Sequence, residues 1–407
     1  MVVTIVVLLI LAGITISLVF SENGIIAKAR EAAEKTNQAA INEQEDMNRV
    51  ADYMSNMVNG TGGSTPEEPS GPEMPDGWDE NRVNAVESAD GIVVPVPKGY
   101  TASSVATENT VADGFVIYEG EEVVNDSNKD TAQTTRNQFV WVPVANPSEM
   151  YGTDSTGKKW GKLYYFDEEG ITPRNWTEQD GVISVGNYGC CEPDVITGSD
   201  DASYDAISTN LQQAGLSASA TVDTFKTQLE TEFNSMIESV EKYGGFYIGR
   251  YETGKLSQDE VVVVKNNTNI NNYQSWYTQY KKAKGIAAND NVTTTMIWGS
   301  QWDATLRWMY NQGGEKKIYT YDSTGKGNYG TGSPIATGSN ESYAVNNIYD
   351  MAGNIYEWTI EAADTDNRVI RGGFSLDYGS DVPASERAYD DPMIGNANPG
   401  NRLALYM

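Results

Sequence analysis

The chain has 407 residues, with 57 acidic against 28 basic side chains and a net charge of −29. That length admits two or three domains, and the acidity repels a phosphate backbone, which excludes nucleic acid as a partner. There is no histidine, and the only cysteines are the adjacent Cys190 and Cys191. The commonest general base, the commonest zinc ligand and any Ser-His-Asp or Cys-His pair are therefore missing.

Val2 to Phe20 is uncharged and almost wholly apolar. About twenty helical residues span one bilayer core, and in lipid only a helix satisfies every backbone group of such a run. Ile26, Ala33, Ala40, Met47 and Met54 then recur every seven residues, a weak heptad stripe. An apolar helix leading into an amphipathic one and then a globular head resembles the type IV pilins and pseudopilins. No leader peptide, first-position Phe or nearby Glu of that pattern is present. The resemblance implies a filament subunit, against a simple signal-anchor; both bury residues 2–20 in a membrane or filament core. Lys28 and Arg30 after the span favour a cytoplasmic head, whereas the pilin resemblance places it outside, at the cell surface, the location adopted here.

Residues 59–82, dense in Gly, Pro and Ser, form a flexible linker between the rod (1–58) and a head (83–407). The head opens with β-branched and aromatic runs, Ile92–Pro97, Phe115–Tyr118 and Phe139–Val144, bounded by Gly, Asn and Pro, which read as strands. Residues 150–220 are polar and Gly-rich and read as a loop insertion. They contain Cys190–Cys191, open to three readings: free thiols on a loop, a strained vicinal disulfide, or a metal or redox pair. The Glu192-Pro193-Asp194 triplet beside them faintly resembles the Glu-Pro-Asn of sugar-binding C-type lectins.

Phe225, Leu229, Phe233, Met236 and Val240 step by three and four, which predicts a helix over 221–243 ended by Gly244-Gly245. Phe246–Glu252 reads as a strand. Ser300-Gln301-Trp302-Asp303 reads as a capped helix start whose apolar face is Trp302, Leu306 and Met309.

The last sixty or so residues carry Asn347–Thr359 (NIYDMAGNIYEWT), Arg371-Gly372-Gly373, Ala384-Ser385-Glu386-Arg387 and Asn401-Arg402-Leu403-Ala404. This ordered set resembles the C-terminal core of the formylglycine-generating enzyme (sulfatase-modifying factor) superfamily. The resemblance implies an α+β, C-type-lectin-like domain, a fold that also serves as a binding scaffold in the variable proteins of diversity-generating retroelements. It extends to Phe246–Glu252 and Trp302-Asp303-Ala304. Departures are Phe374-Ser375 where the family has Ser-Trp, and Asn401 where it has Phe. The family's reactive cysteines follow the Arg-Gly-Gly motif, but Phe374–Val382 holds no thiol, so neither thiol chemistry nor a copper site can be built there.

Asp350 and Glu357 lie seven residues apart around a Gly-Asn turn, suited to a hard cation. By position, the resemblance implies structural Ca2+ held by Asp350, Gly353, Ile355 and Glu357; the alternative is that Glu357 only stabilises the turn. Arg371, Arg387 and Arg402 are expected to hold carboxylates or carbonyls within the fold. Between Arg371 and Arg402, Asp377, Tyr378, Asp381, Tyr389, Asp390, Asp391, Asn396 and Asn398 are paratope-like residues and form the expected ligand surface. The expectation is a non-catalytic, adhesin-type binding head for a surface protein or glycan, on a membrane-anchored or filament-forming rod. The alternatives are a formylglycine-generating-type enzyme or maturation factor, and a purely structural pilin.

Overall fold

Phe225, Leu229, Phe233, Met236 and Val240 form the buried face of helix α1 (Val222–Tyr243). Thr221 caps it by accepting from Thr224 N at 3.2 Å, and Gly244, at φ 79°, ends it in the left-handed conformation that glycine adopts without strain. The computed structural model describes residues 72–407 apart from 175, 180–181, 186–203, 256–260, 266, 268–273, 285, 287–288, 364–366 and 394–398. They belong to one compact unit, Gly71–Met407. The expected rod, most of the linker and the Cys190–Cys191 pair lie outside the described residues. Among the described residues no helix is long and apolar enough to cross a membrane.

Two sheets organise the unit. Their strands are β1 (Tyr100–Ala102), β2 (Val116–Glu119), β3 (Gln138–Pro143), β4 (Gly245–Gly249), β5 (Thr293–Met296), β6 (Glu357–Ala362), β7 (Arg368–Arg371), β8 (Arg387–Asp390), β9 (Gly400–Asn401) and β10 (Leu403–Tyr406). The first sheet runs β5-β10-β4-β3-β2-β1, antiparallel throughout. The second runs β8-β7-β6-β9, with only the β6–β9 pair parallel. The C-terminal strand thus sits inside the first sheet, Leu405 opposing both Tyr247 and Thr294. With both faces covered, β3, β4 and β10 are apolar without alternation.

Helix α1 packs on β4 and β10, and helix α2 (Trp276–Ala283) on β5. Helix α3 (Gly299–Asn311), followed by α4 (Gly314–Tyr321), touches both β3 and β6, and so joins the two sheets. Trp302, Leu306 and Met309 are fully buried on α3, as its apolar spacing predicts. Its start differs from the sequence reading. The N-cap is Trp298, whose backbone N donates to Gln301 Oε1 at 3.2 Å, and Ser300 lies inside the first turn. Three buried aromatics, Trp298, Trp302 and Phe233, make that region apolar enough to draw Gly299 and Ser300 into the helix.

Within the expected loop insertion at 150–220, the described residues include short hairpins and a helix. Tyr151–Thr153 pairs with Lys159–Gly161, Tyr164–Phe166 with Ile171–Pro173, and Trp176–Gln179 with Val182–Val185, and Tyr204–Gln213 is a helix. The hairpins are too short for their alternation to stand out against the polar turns, yet Tyr164 and Phe166 are buried while Tyr165 is exposed.

The Arg-Gly-Gly motif is a backbone device. Gly372 sits at φ +85°, and a Cβ there would lie 2.8 Å from Met351 O. Gly77, at φ +87°, has open space around the same position. Gly77→Ala should therefore cost only left-handed strain, about 1–2 kcal/mol. Gly372→Ala should cost clearly more in denaturant melts, and equal costs would mean that the close approach to Met351 is not a constraint.

Candidate functional site

Three clusters of polar side chains are built around β6, β7 and the turn before them. The first is the 346–357 turn. Asn346, Asn347, Asp350 and Asn354 all have positive φ, between 51° and 62°, a conformation that Asn and Asp tolerate better than other side chains. Asp350 Oδ2 accepts from Thr337 Oγ1 at 3.0 Å and Gly338 N at 2.8 Å, and its Oδ1 is buried without a partner. Asn354 Nδ2 donates to Glu252 Oε2 at 2.6 Å, while its Oδ1 accepts from Asn328 Nδ2 and Ile335 N. Glu252 Oε1 is a second buried oxygen without a partner.

Arg402 completes this cluster. Its Nε and Nη2 fork onto Glu357 at 3.0 and 2.6 Å, and Nη1 and Nη2 also donate to Gly249 O and Tyr349 O. Of the expected calcium set Asp350, Gly353, Ile355 and Glu357, the two carboxylates already have partners within the fold. Both oxygens of Glu357 accept from Arg402, and Asp350 Oδ2 accepts from Thr337 and Gly338. Among the described residues no group of three or more acidic or other side-chain ligands is arranged to hold a metal ion. The cation beside Glu357 is a guanidinium, brought from 45 residues away.

The second cluster holds the other two motif arginines. Arg371 Nη2 donates to Asp303 Oδ1 at 2.7 Å, and Asp303 Oδ2 accepts from Tyr164 N at 2.8 Å, which ties the inserted hairpin to α3. Arg387 donates from both Nε and Nη2 to Glu361 Oε1. Arg371, Arg387 and Arg402 thus each hold a buried carboxylate, as the sequence reading expects.

The third cluster is the 374–391 surface, and it divides the expected ligand residues. Tyr378 and Tyr389 are 68% and 50% exposed, and Asp381 is exposed, with Oδ1 accepting from Ser380 Oγ. Asp377 Oδ2 accepts from Phe374 N, Asp390 Oδ1 from Asp391 N, and Asp391 Oδ1 from Met393 N. These three carboxylates fold their own backbone, which reduces what they offer a ligand. Asn396 and Asn398 lie outside the described residues. Sequence reasoning missed Leu376, 64% exposed beside Tyr378, and Tyr165 and Arg174 from the inserted hairpins. It also missed Glu252, whose part in the first cluster spans 102 residues of chain.

Residues 242–407 match the family described as the sulfatase-modifying factor enzyme 1-like domain. That segment of the chain is a domain of this type. Among solved structures, it is similar to PvdO from Pseudomonas aeruginosa, at 16% identity and a TM-score of 0.27 over 40% of this chain and 82% of that one. It is also similar to CarF, at 13% and 0.29 over 40% and 87%. Treponema denticola variable protein 1 aligns at 13% and 0.25 over 66% and 96%. Likenesses at this level say nothing about activity. No curated protein matches, and no match supports the pilin resemblance of residues 1–58.

The first cluster makes stability depend on pH. Burial, then the charges of Asp350 and Glu357, push the Glu252 pKa well above the ordinary carboxylate value, and burial pushes Glu357 up to about 7 against the pull of Arg402. A carboxyl raised in the fold stays protonated where the unfolded chain, at about 4.5, has already ionised. The unfolded chain then binds fewer protons, so these groups lower stability as pH rises from about 4.5 through 7. Glu252→Gln should remove much of this loss. The variant should match the parent near pH 4 and exceed it at pH 8 by at least about 1.4 kcal/mol, one pKa unit's worth. Chemical denaturation at both pH values reads it, and an equal offset at both would show that Glu252 is not ionising in this range.

Proposed function

We propose that the sulfatase-modifying-factor-type domain of this chain works as a binding module, with Leu376, Tyr378, Asp381 and Tyr389 on its ligand surface and no thiol chemistry at the segment after Arg-Gly-Gly. One observation carries the reading: where the family places reactive cysteines, Phe374–Val382 has none and instead presents two large, solvent-exposed side chains, Leu376 and Tyr378. Exposed apolar and aromatic side chains on a rigid base supply contact area at low entropic cost. The base is rigid here because Ser375 N donates to Asn354 O, and Gly330 N and Thr331 N donate back to Asp377 O and Ser375 O. Display at a surface from the apolar Val2–Phe20 run, with a protein or glycan as partner, belongs to this proposal. Assembly into filaments draws no support from any match.

The second reading is a formylglycine-generating-type enzyme or maturation factor. The family match at residues 242–407 favours it. It requires reacting groups other than thiols in the Phe374–Val382 segment.

The two separate in one experiment on the full-length chain. Leu376→Ser combined with Tyr378→Ala should fold like the parent, because both side chains point to solvent. It should lose about 1–3 kcal/mol of binding to whichever immobilised glycan or surface protein the parent retains. Undiminished binding would remove this surface from the proposal. Conversion of a cysteine-containing sulfatase peptide to its aldehyde by the parent would establish the second reading.

A further inference from the structure

Among the described residues, Arg174 is a cation flanked by two further arginines. It sits at the end of the inserted Tyr164–Phe166 and Ile171–Pro173 hairpin, half-buried, with its guanidinium 3.7 Å from the centre of the Tyr165 ring. Its backbone is fixed by donation from its N to Leu163 O, but its Nε is buried and has no hydrogen-bond partner. The electrostatic neighbours are two further arginines, Arg371 and Arg387, and the carboxylates Asp303 and Glu361. Asp303 is engaged by Arg371 and Tyr164 N, and Glu361 accepts from Arg387 through Oε1 while its Oε2 lies 3.9 Å from Arg371 Nη1. Three guanidinium groups therefore share two carboxylates, and the group left over is the most accessible of the three. The adjacent Arg307–Glu149 pair, at 2.5 Å beside Tyr164, neutralises itself and contributes no excess. Arg371, 1% exposed, keeps its Nε without a partner, and its Nη1 has only Glu361 Oε2 near it, at 3.9 Å.

We infer that Arg174, with Arg371 and Arg387 behind it and Tyr165 beside it, forms a subsite for an oxyanion carried by the ligand: a carboxylate, a sulfate ester or a phosphate ester. A guanidinium held flat against an aromatic ring presents its donors in a fixed fork, the geometry that oxyanions accept best. Burial, followed by Arg387, lowers the Arg174 pKa, so the free protein holds this cation at a cost that a bound anion removes. In a molecule of net charge −29, the local excess of positive charge also gives an anionic group one place to settle. Tyr389 lies two residues along β8 from Arg387 and so faces the same side of the strand. The subsite thereby adjoins one edge of the binding surface proposed above, and as a ligand subsite it rests on that reading.

The test is a thermal titration of the full-length chain with sodium sulfate, sodium methyl phosphate and sodium acetate, each against sodium chloride at matched ionic strength. At least one oxyanion should raise the melting temperature saturably beyond chloride, and the one that does names the ligand group. Arg174→Gln should weaken that response at least tenfold. In chloride alone it should stay folded, giving up only the contact with the Tyr165 ring. Lys326→Gln, the same charge change at the separate Lys326–Glu315 pair, should leave the response intact. The Leu376→Ser, Tyr378→Ala variant should also keep it, which separates failure of the subsite from failure of the loop surface. A response equal in the parent and Arg174→Gln, or no response beyond chloride, would overturn the inference.

Discussion

The head depends on three arginine–carboxylate pairs sealed from water. Arg402 with Glu357, Arg371 with Asp303 and Arg387 with Glu361 are each at most 5% exposed on both sides. Taking such charges out of water costs several kcal/mol per ion, and a good pair returns roughly that amount, so their net contribution to stability is small. Their contribution is to alignment. Glu357 opens β6 in the second sheet, and Arg402 lies between β9 and β10, where it also donates to Gly249 O at the end of β4. One side chain thereby ties the parallel β6–β9 pair to the sheet that holds the C-terminal strand. A one-residue slip of β10 would turn Arg402 away from Glu357 and leave both charges buried alone, a penalty of about 3–5 kcal/mol. Arg371 does the same for α3, since Asp303 is fixed at once by the guanidinium and by the inserted hairpin.

How much of this was legible in the sequence follows from how local each feature is. The α1 stripe and the strands at Val93–Pro97, Val116–Glu119 and Gln138–Pro143 are visible because their periodicity or β-branched density lies within one segment. The C-terminal motifs are visible as an ordered set, and the expected roles of their arginines hold. The inserted hairpins were not legible, because strands of three residues between polar turns carry too few apolar positions to establish a period. The partner of Glu357 was hidden for a related reason. Spacing puts two carboxylates around the Gly353-Asn354 turn, but it cannot reveal that an arginine far along the chain occupies one of them. Equally, nothing near Glu252 announces that it faces Asn354.

The loop acids teach a narrower lesson. Asp377, Asp390 and Asp391 are the residue type expected of a polar ligand surface, yet each accepts from a backbone N–H within three residues. Short carboxylates close such turns readily, so an acidic loop shapes itself before it recognises anything. What remains for a partner is the large side chains that no local bond can absorb.

The charges the fold leaves unresolved have opposite signs and opposite surroundings, and the surroundings decide what each can do. Glu252 and Asp350 each bury an oxygen without a partner, at 0% and 1% exposure. No solute reaches them without unfolding, so a proton is the means by which the site relieves its charge, and the consequence is a pH-dependent stability. Arg174 is half-buried, and a guanidinium does not shed its proton under ordinary conditions. Its relief has to come from outside, from an anion brought to the surface. The scaffold acids therefore act on the fold, whereas the inserted arginine acts on recognition, and the difference is set by access to solvent more than by charge.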